Sequence, residues 1–303
     1  MRKEIFFAIL AGGAFGLLIA YGAWKLNSSL KPKPTNQASA TANPKITTIP
    51  TSTDFKIILT KPNNLSVLTE SPTILSGVTN PDSYVIVSNE ISDTITNASS
   101  SGAFNIDVEL DGGINQIVIT AFNADGNSTS ANLQIVYSGQ FKSTDGLAYT
   151  GVVTDITDSI IQIKNENGDI QQISGDKDAD YIKLTNNTSK VITAADVAIG
   201  DYLVAMGAKN TNNILDSTRI LITDALVKTN RKAFLGNVTD SSAVGKLIMM
   251  NNKTNETITV TPSDDIVLEG VNRFSEINDD DKLIVVGEFK EGIIEARTIK
   301  VLE

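Results

Sequence analysis

Gly151-Val152-Val153-Thr154-Asp155 and Gly236-Asn237-Val238-Thr239-Asp240 open two copies of one pattern. Further along, Asp201-Tyr202-Leu203-Val204-Ala205-Met206-Gly207 in the first copy corresponds to Asp281-Lys282-Leu283-Ile284-Val285-Val286-Gly287 in the second. Both finish alike, with Leu215-Asp216 and Ile220 matching Ile294-Glu295 and Ile299. Within each copy the local signals describe a small barrel. Ile161 and Ile163 face Ile170 and Ile173 across Asn167-Gly168, and Asn-Gly is a strong short-range hairpin signal. Thr193-x-x-Asp196 reads as a capping box opening one helical turn before the strand at Tyr202, with Ser275 placed similarly before Leu283. The succession of strand, hairpin, single turn, strand and hairpin occurs twice. A closed or nearly closed barrel removes the exposed edges that such short strands otherwise leave.

Upstream, Phe55 to Ser138 carries short apolar runs separated by turn residues, the spacing expected of a sandwich. Ile57 and Leu59, Thr73 to Gly77, Tyr84 to Val87, Ile95, Phe104 to Leu110, Ile117 to Ala121 and Leu133 to Tyr137 make about seven strands. Asp111-Gly112-Gly113 and Asp125-Gly126-Asn127 supply turn residues that tolerate positive φ.

Pro62, Ile74-Leu75-Ser76-Gly77, Pro81, Val85-Ile86-Val87, Gly102-Ala103-Phe104, Leu110, Gly113-Ile114-Asn115 and Asp125-Gly126-Asn127 together resemble the bacterial Ig-like domains of the glucodextranase domain-B type. That resemblance implies an accessory spacer or binding module of a surface or secreted protein, and carries over no catalytic residue. The two copies downstream resemble a bacterial family of unknown function with a G-x-V start, a G-D-x-V-x-V-x-G centre and an Ala-x-x-Ile ending. The first copy keeps Gly200-Asp201 but has Ser217 where Ala is usual. The second has Asp280-Asp281 in place of Gly-Asp and keeps Ala296 and Ile299. This second resemblance implies architecture and an envelope location, and nothing catalytic.

At the other end of the chain, Ile5 to Trp24 is a run of 20 residues without a charge, behind Arg2 and Lys3. At about 1.5 Å per helical residue it reaches roughly 30 Å, the thickness of a bilayer's hydrocarbon core. Ala20-Tyr21-Gly22 could serve as a cleavage site for a signal peptide, but the run exceeds the roughly 7 to 15 residues of an h-region and favours an uncleaved anchor. Trp24 and Lys25 suit the far interface. Gly12 and Gly16 form a GxxxG pair through which two anchors could approach. Lys25, Lys31 and Lys33 offset Arg2 and Lys3, so charge alone leaves orientation open, while a short tail before a long folded region argues for an extracytoplasmic C-terminal part. Asn27 to Thr53 is rich in Pro, Ser and Thr without apolar periodicity, and reads as a linker. The expected organisation is therefore all-β behind a single N-terminal transmembrane helix: anchor 1–26, linker 27–54, Ig-like β-sandwich 55–138, and OB-like barrels 139–225 and 226–303.

The chain has no histidine and no cysteine, which excludes cysteine nucleophiles, Ser-His-Asp triads, His-ligated metals and disulfide frameworks. The net charge of the chain is −10, with the stretch to Thr53 net basic and everything beyond it acidic, and an acidic surface repels phosphate backbones, so nucleic acid is not an expected partner. Asp176-Lys177-Asp178-Ala179-Asp180 alternates like the opening of a calcium loop. Tyr181 stands where that loop requires Gly and Asn187 where it requires Glu, and Asp264-Asp265 lies at the equivalent point of the second copy. Both runs therefore read as a turn device of the fold, and Asp279-Asp280-Asp281 as a solvated turn. No catalytic, cofactor-binding or metal-binding residue is expected. Tyr84, Tyr137, Tyr149, Tyr181 and Tyr202 fall mostly in strand patterns, where packing is the expected role rather than a sugar platform. The expected function is a membrane-anchored, extracytoplasmic, non-enzymatic structural or interaction protein of the bacterial cell envelope. Binding of an envelope polysaccharide or protein is the alternative, and a carboxylate-based hydrolase a third.

Overall fold

The computed structural model describes residues 55–142, 146–185 and 188–302; the expected anchor and linker lie outside them. No helix of the described residues is long and apolar enough to cross a membrane. The first strands are β1 (Ile58–Lys61), β2 (Ser66–Leu68), β3 (Thr73–Val78), β4 (Tyr84–Ser88), β5 (Asp93–Asn97), β6 (Ala103–Val108), β7 (Gly113–Phe122) and β8 (Ser128–Tyr137). One sheet runs β1-β3-β6 and the other β2-β8-β7-β4-β5. Leu75, Phe104 and Ile106 of the first meet Val85, Val87, Ile117, Ile119 and Ile135 of the second in one core. β6 shows the cause most simply, since Phe104, Ile106 and Val108 are buried while Ala103, Asn105 and Asp107 are exposed. The structure has eight strands here, against about seven expected. The additional β2 spans three residues, too few to show a period.

The next strands are β9 (Gly146–Thr157), β10 (Ile160–Lys164), β11 (Ile170–Thr185), β12 (Thr188–Ile192), β13 (Tyr202–Lys209) and β14 (Leu215–Thr223). The last are β15 (Arg231–Asp240), β16 (Leu247–Asn251), β17 (Thr257–Glu269), β18 (Lys282–Lys290) and β19 (Ile293–Leu302). β15-β16-β17-β19-β18 form a closed barrel. β9-β10-β11-β14-β13 form the same ring, with β9 pairing both β10 and β13. In each ring one pair, β11 with β14 and β17 with β19, runs parallel and the other pairs run antiparallel. Separate apolar cores fill them, around Ile163, Leu203 and Ile220 in the first and Met249, Leu283 and Ile299 in the second.

The repeated residues perform matching tasks. Thr154 and Thr239 occupy equivalent bulges, and each hydroxyl donates across to a carbonyl at 3.3 Å, Gln162 and Ile248 respectively. Val153 N–H donates to the Asp201 carbonyl (2.8 Å), and the Val153 carbonyl accepts from Gly200 N–H (2.9 Å). Val238 does the same with Asp281 (2.9 Å) and Asp280 (2.9 Å). Asp280 takes the glycine's place at φ 70°, a conformation Asp tolerates better than most residues. Gly207 and Gly287 are required by close approach, because a Cβ would overlap the carbonyls of Asp216 and Glu295.

Hairpin chemistry gives five asparagines a structural task. Asn89, Asn123, Asn165, Asn210 and Asn251 each accept, through Oδ1, a backbone N–H two to four residues ahead and so close the turn locally. The expected hairpin places Ile161 opposite Ile173, with Gly168 at φ 90° in its turn. The Thr193 box is present, its N–H and hydroxyl both donating to Asp196 at 2.8 Å. Ser275 departs from expectation. It lies inside the short turn Phe274–Glu276, and Arg273 occupies the capping position.

Several strands, β13, β18 and β4 among them, break the alternation of a half-solvated sheet and carry apolar residues on both faces. In β13, Leu203 and Ala205 enter the barrel, while Tyr202, Val204 and Met206 point outward into a second cluster with Val67, Val136 and Phe141. In β18, Leu283 and Val285 enter the barrel, while Ile284 and Val286 pack with Ile86, Ile95 and Phe122. β4 likewise turns Val85 and Val87 to the sandwich core and Ile86 to the second barrel. A strand buried on both faces reads as a continuous apolar run, because neither face meets water. The sandwich and the two barrels therefore share cores and form one compact unit.

Candidate binding cleft beside the sandwich

β8 sends Ser128, Ser130, Asn132 and Gln134 to the outer face of the sandwich, while Leu133 and Ile135 of the same strand enter the core. On β7 the facing positions are Phe122, Thr120, Val118 and Gln116. Thr120 and Ser130 hydroxyls lie 3.1 Å apart across this ladder. The start of β15 rises beside β7, and the space between forms an open cleft of about 630 Å³. Equivalent hairpins of the two barrels bracket it. Glu166 of the first barrel lies 3.5 Å from the Gln134 amide. Asn251, Thr254 and Glu256 of the second line the other end, and Asn252 approaches Gly126.

Arg231 anchors that wall. Its Nη2 donates to Glu90 (3.1 Å) and to the Gln116 carbonyl (2.5 Å), and the residue is only 7 % exposed. Its Nε is buried without a hydrogen-bond partner, and Arg231 lines the cleft. An orphaned buried donor costs on the order of 1–3 kcal/mol. The Gln116 amide is turned away, donating to the Val227 carbonyl at 2.8 Å.

Two further cavities lie at the parallel strand pair of each barrel. One of about 650 Å³ is bordered by Ser159, Tyr181, Asp216 and Thr218. One of about 450 Å³ lies between the β4–β5 turn and Asp264, Asp265 and Arg297. In the latter, Asp93 has a side chain only 1 % exposed and accepts from Ser88 (2.5 Å) and Thr298 (3.2 Å), with Arg297 Nε at 3.5 Å. Its bonds are those of a joint between modules.

The acidic runs singled out in the sequence are dispersed. Asp176 to Asp180 lies within β11 and Asp264-Asp265 within β17, where the parallel pairing with the last strand is interrupted. They belong to strand irregularities, which corrects the expectation of a turn. The equivalence of the two positions does hold. Asp279-Asp280-Asp281 is a turn, with Asp279 accepting from Ser241 N–H and hydroxyl at 2.8 Å and Asp281 from Asn278 N–H at 2.7 Å. Among the described residues no group of three or more His, Cys, Asp or Glu side chains is placed to hold a metal. Asp196 is held below the usual carboxylate range by the Thr193 backbone and side-chain hydrogen bonds, and Asp240 by the Ser242 hydroxyl and N–H. Those shifts make neither a proton donor near neutrality. Burial raises the Tyr202 phenol; Thr150 partly offsets this, though without hydrogen-bond geometry.

Tyr149, Tyr181 and Tyr202 are buried, and Tyr137 packs against the sandwich core and Tyr84 against the joint with the second barrel. None forms an exposed platform. Sequence reasoning missed the β8 row, although Ser128, Ser130, Asn132 and Gln134 alternate with apolar Leu133 and Ile135; what it lacked was the wall that β15 supplies.

No protein-family model and no curated protein matches the chain. Solved structures show distant likeness, two of them from adhesin studies. One comes from a structural study of host-cell-surface retention of a 1.5-MDa bacterial ice-binding adhesin, at 14 % identity over 82 % of this chain and 95 % of that one, with a TM-score of 0.21. The other is a Ca2+-stabilized adhesin that helps an Antarctic bacterium reach out and bind ice, at 13 % identity over 80 % and 73 %, also with a TM-score of 0.21. A TM-score this low transfers neither fold nor function.

Proposed function

We propose that this chain is a non-enzymatic structural and interaction protein of the bacterial cell envelope, tethered by residues 1–26 as a membrane helix and displaying its β-modules outside the cytoplasm. In this reading the sandwich is a bacterial Ig-like module and the barrels are a tandem pair of the small envelope family that they resemble. The observation that carries it is the joining of the modules through shared apolar clusters. A head built in this way holds its surfaces in fixed relation while a linker lets it reorient as a whole. Crosslinking on intact cells, followed by recovery of the Phe55 to Glu303 region, tests display and identifies neighbours together. The reading expects crosslinks to envelope components. A chain protected from an impermeant crosslinker, and found in the cytosolic fraction, contradicts it.

The β8 cleft favours a second reading, in which the head binds an envelope polysaccharide or protein. It expects Phe55–Glu303 to retain purified cell-wall material, and loss of retention under all salt conditions counts against it.

A further inference from the structure

We propose that the β8 cleft holds a segment of a neutral, hydroxyl-rich glycan laid along the row Ser128, Ser130, Asn132 and Gln134. This deepens the polysaccharide reading above and rests on it. Ligand pockets for small molecules are mostly apolar and enclosed. Here the floor is a strand whose outward side chains are hydroxyls and amides, each able both to donate and to accept, as sugar hydroxyls do. From Ser128 to Gln134 the floor extends roughly 20 Å, at about 3.4 Å per residue, long enough for an oligosaccharide running along it. Ser128, Ser130 and Asn132 are exposed, and the Ser130 hydroxyl shares a hydrogen bond with Thr120 that leaves it capacity for a second partner.

Charge selects the class of glycan. Around the cleft Lys228 and Lys232 are matched in number by Glu166 and Glu256, and the Arg231 guanidinium is already paired with Glu90. A polymer with one charge per sugar would face as much repulsion as attraction, so a neutral chain fits best. Arg231, held by Glu90 and the Gln116 carbonyl, forms the wall beside this floor. An extended peptide is disfavoured, since peptide recognition along a strand relies on pockets for alternate side chains and the outward row here is polar throughout.

The test is affinity electrophoresis of the full-length chain in a non-glycoside detergent, through gels containing dextran, laminarin or mannan, with polygalacturonate as the charged comparison. At least one neutral polymer is expected to retard the protein. The double variant S130A/N132A should weaken that retardation about tenfold with an unchanged melting temperature. Should S130A/N132A be destabilised, Ser128→Arg, a bulky change at an exposed position, should abolish retardation while leaving the fold intact. Absence of retardation by every neutral polymer, stronger retardation by polygalacturonate, or equal retardation of the wild type and both variants overturns the proposal. Surface labelling of the same chain on intact cells separates the two levels. A displayed protein that ignores all neutral polymers removes the glycan site alone, whereas an undisplayed one removes the reading beneath it.

Discussion

The two barrels share a ring of strands, a bulge and a turn, yet they meet different surfaces of one sandwich. The first joins its edge, where β9 continues the sheet by pairing Gly146 and Leu147 with Val67 and Ser66 of β2. The second docks on its face, where Ile284 and Val286 cover Ile86 and Phe122. Equivalent strand ends make both attachments. Gly146, at the start of the first ring, enters a backbone ladder, and Arg231, its counterpart, sends a guanidinium to Glu90 and Gln116. Equivalent outward residues also serve both joints, Val204 and Met206 in one copy and Ile284 and Val286 in the other. Duplication thus preserved the interior and an adhesive outer face, while the polar contacts around that face diverged.

The largest effects should come from breaking the shared adhesive face. Val204→Asp and Ile284→Asp each place an unpaired carboxylate at a position 0–1 % exposed, which should destabilise by about 3–5 kcal/mol. The two should differ in what is lost. Ile284→Asp should release the second barrel as a separately unfolding unit, whereas Val204→Asp should loosen the sheet junction at β2 and β9. Urea unfolding followed by tryptic fragmentation distinguishes these outcomes, and identical fragments from both variants would erase the distinction between edge and face attachment.

A middle-sized effect isolates the divergent contacts. Arg297→Ala removes the guanidinium from buried Asp93 and the Asn89 carbonyl (2.9 Å), and should cost about 1–3 kcal/mol. Thr218, its counterpart in the first barrel, is exposed and borders an open cavity. Thr218→Ala should change stability by less than about 0.5 kcal/mol. Equal costs in denaturant titrations would show that Arg297 does not serve the joint.

Much of this was legible in the sequence. Alternation along Phe104 to Val108, the Asn-Gly hairpin and the paired motifs announced an all-β chain with an internal duplication, because each depends on local spacing alone. β2 was not legible, being three residues that gain strand character from Val136 and from the β9 ladder. β12 has no counterpart in the second barrel and extends only β11. The packing of the modules left a trace in Tyr202 to Met206 and Leu283 to Val286, whose unbroken apolar runs exceed what one barrel interior can absorb. The candidate cleft depends on residues more than 90 apart, such as Asn132 and Arg231, and no local pattern could join them.

The smallest effect concerns acid. Asp196 in the first barrel and Asp240 in the second have folded-state values below the ordinary 3.8, so each stabilises its own turn fully above that pH. The contribution disappears as pH falls below 3.8 toward the folded value, since the unfolded carboxylate then binds the proton first. Asp196→Asn and Asp240→Asn should each reduce the acid dependence of the melting temperature below that pH and leave the slope near neutrality unchanged. A changed slope near pH 7 would contradict the assignment.

The central claim is that sandwich and barrels form one rigid head, and small-angle X-ray scattering from Phe55–Glu303 tests it most directly. The account predicts a radius of gyration of about 18–20 Å, the scaling for a compact unit of this length, and a pair-distance distribution with one maximum. A substantially larger radius, with separate maxima for modules moving independently, would contradict it.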